Sequence, residues 1–205
     1  MGYKHNTTGF SLIEVLVSLS LFTIVVTISV GSMVVLLDGN AKAREKKELL
    51  TQLSFMLDTM TRDIRTGYNY RCTNSSSNSD LRLDNNLVDG LDCLSGGSAL
   101  AFTESGGSLT TELGADTARV AYRLDTDLNR IERGVWNSGS IDWAPVTPVE
   151  INIEQLTFYV TDTARGTDYK PPAVTIVIAG NLPSDVGDDN EFAIQTTVVQ
   201  RLLDL

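Results

Sequence analysis

Few residues in this chain have the types and spacing that suggest chemistry. Glu14 is the one ionisable side chain in the apolar run 10–37, four residues after Phe10 and five after Gly9. An unpaired charge in hydrocarbon costs several kcal/mol, so a carboxylate placed there asks for a cationic partner. Cys72 and Cys93 are the only cysteines and bracket a Ser/Asn-rich stretch. The simplest reading is one disulfide made in an oxidising compartment, contributing about 3 kcal/mol through the loop it closes. Two unrelated buried thiols are the alternative. Asp185, Asp188, Asp189 and Glu191 cluster in LPSDVGDDNEF. These are hard oxygen ligands of the kind calcium takes, but their spacing is not that of an EF-hand, and a solvated acidic loop is the preferred reading.

Catalysis finds little support. The single histidine, His5, precedes the apolar run, and no G-x-S-x-G, Walker A or H-E-x-x-H pattern occurs. No enzyme activity and no cofactor are expected. The formal charge of −10 and pI near 4.5 argue against a surface built to neutralise phosphates. A local basic patch remains compatible with that balance.

The elements that must position these residues can be read from periodicity. As a helix, the run 10–37 reaches roughly 42 Å, enough for a hydrocarbon core of about 30 Å. It is too long for the apolar core of a secretory signal. Beyond it, Leu49, Leu53, Met56, Met60 and Ile64 recur at three- and four-residue spacing, with Leu50 and Leu57 beside them. That stripe predicts an amphipathic continuation over 38–67, with Gly67 as its stop and Gly31 and Gly39 as bending points.

After Gly67 the pattern changes to extended. The turn-rich stretch 71–93 reads as a surface loop held at its ends by the cysteines. Strands are expected at 99–103, 119–125, 131–135, 151–161, 174–179 and 192–200, with a hairpin turn at 125–129. An antiparallel sheet packed on the amphipathic half-helix makes an α+β domain.

The segment Gly9-Phe10-Ser11-Leu12-Ile13-Glu14-Val15-Leu16-Val17 resembles the processing and methylation motif of type IV prepilins. That resemblance implies a leader, 1–9, removed between Gly9 and Phe10 by a prepilin peptidase, which then N-methylates Phe10. It also implies that Glu14 guides assembly by pairing with the new α-amino group of a neighbouring subunit or of its own chain. The segments RVAYRLDTDLNRIERGV, QLTFYVTD, PPAVTIVIAG and FAIQTTVVQR resemble the heads of minor pilins and pseudopilins, above all the J-type pseudopilin of type II secretion and the W-type minor pilin. The tip-located K-type pseudopilin typically lacks the glutamate, and many major pilins carry a proline where this chain has Gly31.

The resemblance therefore implies the type IV pilin fold. It divides the chain into a leader (1–9), a membrane or filament-core helix (10–37), an amphipathic half (38–67) and a β-rich head (68–205). The expected function is that of a minor pilin or pseudopilin subunit built into a pilus or a type II secretion pseudopilus, near its tip. Its partners would be prepilin peptidase, other pilins or pseudopilins and the inner-membrane assembly platform. A filament-tip adhesin or DNA-uptake subunit is the alternative, with loop 73–92 as its contact and net acidity against nucleic acid. The positive-inside count favours a cytoplasmic C-terminal side, through Lys42, Arg44, Lys46 and Lys47. The very short leader and the cysteine pair outweigh it, giving a cytoplasmic N-terminus and an extracytoplasmic head. The same four cations suit anionic headgroups or acidic neighbours as well as an ordinary solvated helix face.

Overall fold

A computed structural model describes residues 9–75, 77–81, 90–104, 119–137, 140–163, 170–183 and 191–201. It begins with one helix, α1 (Leu12–Thr66). No proline precedes Pro145, so every residue along α1 keeps its amide donor. The Ser11 carbonyl accepts the first bonds, from the amides of Glu14 at 3.1 Å and Val15 at 3.2 Å. α1 passes through Gly31 and Gly39 without interruption. The roughly 1 kcal/mol cost of each glycine does not break it.

The chain divides into two units, Met1–Lys47 and Glu48–Leu205. In the first, the large apolar side chains between Leu12 and Leu37 are all exposed. Their polar neighbours are self-sufficient. Ser18, Ser20, Thr23, Thr27, Ser29 and Ser32 each donate a hydroxyl to a carbonyl three or four residues earlier, at 2.7–3.0 Å. A segment that enters hydrocarbon must satisfy its donors internally, and this one does. Among the described residues, α1 is long and apolar enough to cross a membrane by length and composition.

In the second unit, Leu49, Leu53, Met56, Met60 and Ile64 are buried, as their spacing predicts. Leu57 is half-buried beside them. Leu50, read as part of the same face, is 43% exposed. It stands about 100° round the helix from Leu49, which carries it off the packed side.

Nine strands follow among the described residues: β1 (Tyr68–Thr73), β2 (Cys93–Gly97), β3 (Ala99–Thr103), β4 (Arg119–Asp125), β5 (Arg130–Asn137), β6 (Ser140–Pro145), β7 (Asn152–Thr161), β8 (Ala173–Asn181) and β9 (Glu191–Val199), with a short helix α2 (Asn78–Leu81) after β1. They form two antiparallel sheets, β1-β3-β4-β5-β6 and β2-β7-β8-β9, where the sequence led us to expect one. The six expected strands are present, with ends moved by a few residues at most. β1, β2 and β6 were not among them. β1, YNYRCT, does alternate, and its signal was overlooked beside the turn-rich Ser/Asn stretch it runs into. β2 ends in two glycines and β6 in proline, which weaken a strand signature.

The reading of 71–93 as a surface loop is corrected at its described ends, while residues 76 and 82–89, the middle of that stretch and of the loop 73–92, lie outside the described residues. Cys72 and Leu81 are each no more than 1% exposed, because the segment begins in β1 and folds back as α2 over the five-stranded sheet.

One core lies between the two sheets and the α1 stripe, formed by Tyr70, Leu100, Phe102, Tyr122, Phe158, Ile176 and their neighbours. A smaller one, with Leu81, Ala99, Ala101, Ala121, Trp136 and Ile141, covers the far face of the five-stranded sheet. β3 is consequently buried on both faces. β8 shows the strict alternation of a strand with one face packed. The expected hairpin turn joins β4 to β5. The Asp125 carboxylate accepts the amides of Asp127 and Leu128 at 2.9 and 3.3 Å, and Asn129 takes φ 51°.

Gly67 ends α1 for a reason other than a left-handed cap. A Cβ there would meet the Phe102 ring at 2.5 Å, so the position is fixed by close approach of the sheet. The left-handed residue is Asn69, at φ 58°. Tyr70 then donates its hydroxyl to the carbonyls of Ile64 and Gly67.

Candidate functional site

The N-terminal candidates lie where α1 begins. Gly9 and Phe10 precede the helix, so their peptide is not engaged in helical hydrogen bonding. A Cβ on Gly9 would meet nothing within 4 Å, and Phe10 is 82% exposed. Glu14 is exposed in the first helical turn, where its charge suits the positive end of the helix dipole. Glu14 follows Phe10 by four residues, about 6 Å of rise were the helix extended back to Phe10. Such an arrangement offers a peptidase an accessible glycyl bond. It also sets a carboxylate four residues from the amine that cleavage would create. Residues 1–8 lie outside the described residues.

The cysteines are bonded to each other, with Cα atoms 5.7 Å apart. Cys72 is in β1 and Cys93 in β2, which are terminal strands of different sheets. The bond therefore ties sheet to sheet. Gly97 completes the site. A Cβ there would strike Cys72 Sγ and stand 3.3 Å from Cys93 Sγ. Sequence reasoning did not single out Gly97, and only its place opposite β1 shows why glycine is needed.

The calcium candidates receive no support as a group. Asp185, Asp188 and Asp189 lie outside the described residues, and Glu191 is exposed at the start of β9. Among the described residues, no three His, Cys, Asp or Glu side chains come together to hold a metal.

Two polar clusters in the head were missed. Tyr122 donates to Asp63 Oδ2 at 2.8 Å, Arg133 Nε donates to the same oxygen at 3.2 Å, and Arg133 also pairs with Glu104. This pins the last turns of α1 to β4 and β5. Burial, with the Asp63 carboxylate next, raises the Tyr122 hydroxyl well above the usual tyrosine range. Part of the signal was present in the sequence: Arg133 shares a strand face with Ile131, which is buried, although Val135 two residues on is exposed. On the opposite face, Glu132 holds the Arg123 guanidinium at 2.9 Å, and that guanidinium lies 4.0 Å from the centre of the Trp143 ring. A mostly apolar cavity of about 680 Å³ opens beside the first cluster, lined by Tyr122, Arg133, Phe55, Met56 and residues 145–148. Both clusters act as structural ties between elements of the head.

Comparison with known proteins gives two matches to family models. Residues 4–30 match the prokaryotic N-terminal methylation motif. Residues 42–200 match prepilin peptidase-dependent protein B. Neither the curated proteins nor the solved structures return a match.

Proposed function

We infer function from the premise that the chain belongs to the family of prepilin peptidase-dependent protein B, whose match covers most of its length. It is a type IV pilin-like protein with an N-terminal methylation motif, in a structural family and not an enzyme family. Its apolar N-terminal helix suits membrane anchoring. Prepilin peptidase is its processing partner, and pilin-type assembly is its destination.

Beyond this, our reading is a minor pilin or pseudopilin subunit that is cut between Gly9 and Phe10 and N-methylated at Phe10. It first sits in the inner membrane as a single pass, with the N-terminus cytoplasmic and the head outside. It then enters a pilus or a secretion pseudopilus near the tip, in contact with the assembly platform and other pilins. Glu14 recruits it by pairing with the amine of a neighbouring subunit.

The observation that carries this reading is the order Gly9, Phe10, Glu14 at the accessible start of a helix whose apolar residues are all exposed as far as Leu37. Bare apolar surface of that length needs lipid or other helices around it. A carboxylate within it needs a cation, and a processed N-terminus is one.

Mass spectrometry of the N-terminus, in cells with and without the peptidase, tests the reading. We expect loss of residues 1–9 and one added methyl on Phe10 in the first case and an intact chain in the second. An intact N-terminus in both would overturn it.

A further inference from the structure

We propose that the outer margin of β9, with Arg62, Arg65 and Arg201 beside it, docks an extended, carboxylate-bearing segment of another polypeptide, which adds to the four-stranded sheet as its next strand. The proposal concerns the head by itself and does not depend on entry into a filament.

β9 terminates its sheet. It is matched to β8 at nine successive positions with no bulge, and β8 is its one strand neighbour among the described residues. The outer margin of a terminal strand presents a row of amide and carbonyl groups, a template that monomeric proteins blunt with lysine, proline, bulges or short length. The other terminal strands are managed in such ways. β1 and β2 each carry a register irregularity and β2 is only five residues long, and β6 ends at Pro145. β9 contains no lysine, arginine or proline, and its one charge, Glu191, is its first residue.

A groove of about 550 Å³ opens beside it, lined by β9 residues 196–199 and by the α1 residues Asp58, Thr61, Arg62 and Arg65. Four consecutive strand residues line it. Alternate residues point to opposite faces, so this groove follows the strand's margin and not one face.

The charges there run against the rest of the molecule. The chain carries −10 overall. Yet Arg62 and Arg65 lie three residues apart on one helix face, and the Arg201 amide donates to the Arg65 carbonyl at 3.0 Å, bringing a third arginine alongside. Arg62 meets Asp58 at 3.9 Å with both side chains largely exposed, a pair weak enough to be exchanged for a better one. Strand addition supplies main-chain bonds, and pairing of alternate carboxylates with guanidinium groups supplies choice.

The test uses the full chain in detergent micelles. It is titrated with labelled acetyl-Thr-Val-Glu-Val-Glu-Val-Thr-amide, and binding is followed by anisotropy and amide hydrogen exchange. We expect saturable binding that slows exchange in β9 and vanishes when alternate peptide amides are N-methylated. Joint Arg62→Glu and Arg65→Glu substitution should weaken binding by about tenfold or more. It should also transfer preference to the peptide with lysine in place of glutamate, a gain that a misfolded variant would not show. Absence of saturation, equal binding of the glutamate and lysine peptides by the unaltered chain, or indifference to N-methylation would each overturn the proposal. Self-association that protects β9 without peptide would overturn it too, since a second copy would then hold the margin.

Discussion

Cys72 and Cys93 stand 5.7 Å apart at Cα on terminal strands of two different sheets, so a single covalent bond joins the margins of both layers of the head. Replacing both by serine should cost about 2–5 kcal/mol. Thermal unfolding of the oxidised protein and of the Cys72→Ser/Cys93→Ser variant measures it, and reductant should lower the first toward the second.

Gly97 is bound to that feature. Gly97→Ala puts a methyl group against both sulfurs, and we expect a loss of about 1–3 kcal/mol. Gly39→Ala is the control. Nothing lies within 4 Å of its added Cβ, and in a helix interior alanine gains up to about 1 kcal/mol over glycine. The melting of the head should fall in Gly97→Ala and stay unchanged in Gly39→Ala, whose residue belongs to the other unit.

Tyr122 gives the head an alkaline limit. Its hydroxyl is raised above the ordinary value of about 10 by burial and by Asp63. Below that value folded and unfolded chains both hold the proton, and the contribution of Tyr122 is fully present. Above it the unfolded chain releases the proton first, so stability falls as pH climbs towards the folded-state value. Denaturation measured from pH 8 upward should show this loss, and Tyr122→Phe should flatten it. An identical slope in the variant would mean that another group is responsible.

The face of α1 can be tested by contrast. Met60→Ala, at a fully buried site, should cost about 2–5 kcal/mol. Phe55→Ala, 74% exposed on the same helix, should stay within about 0.5 kcal/mol. Hydrogen exchange in residues 48–66 distinguishes the two.

Glu14→Ala separates processing from assembly in the proposed mechanism. The variant should still lose residues 1–9, because Gly9 and Phe10 are unchanged, yet should be depleted from filaments. Immunoblots of membrane and sheared-filament fractions provide the readout. Normal incorporation would remove Glu14 from the mechanism.

Local periodicity made much of this molecule legible. The long helix, the stripe from Leu49 to Ile64 and the strands at 99–103 and 119–125 depend on spacing within one segment, and such spacing survives without knowledge of partners. The Gly9, Phe10 and Glu14 pattern was equally plain, since its meaning lies in neighbouring positions of the chain. Burial of a cation such as Arg133 was signalled only in part, by Ile131 on its strand face, and the identity of Asp63 and Glu104 as its partners was not.

Residue types and local spacing carry the apolar helix with its single carboxylate and the α+β character of the head. Which strands share a sheet, and much that follows from it, emerges only once distant segments pair. The cysteines became a tie between two layers, Gly97 acquired its reason, and Arg62, Arg65 and Arg201 came together beside the outer margin of β9. Strand pairing joins residues far apart in the chain, and its register is set by the packing of whole faces, so no local pattern encodes it.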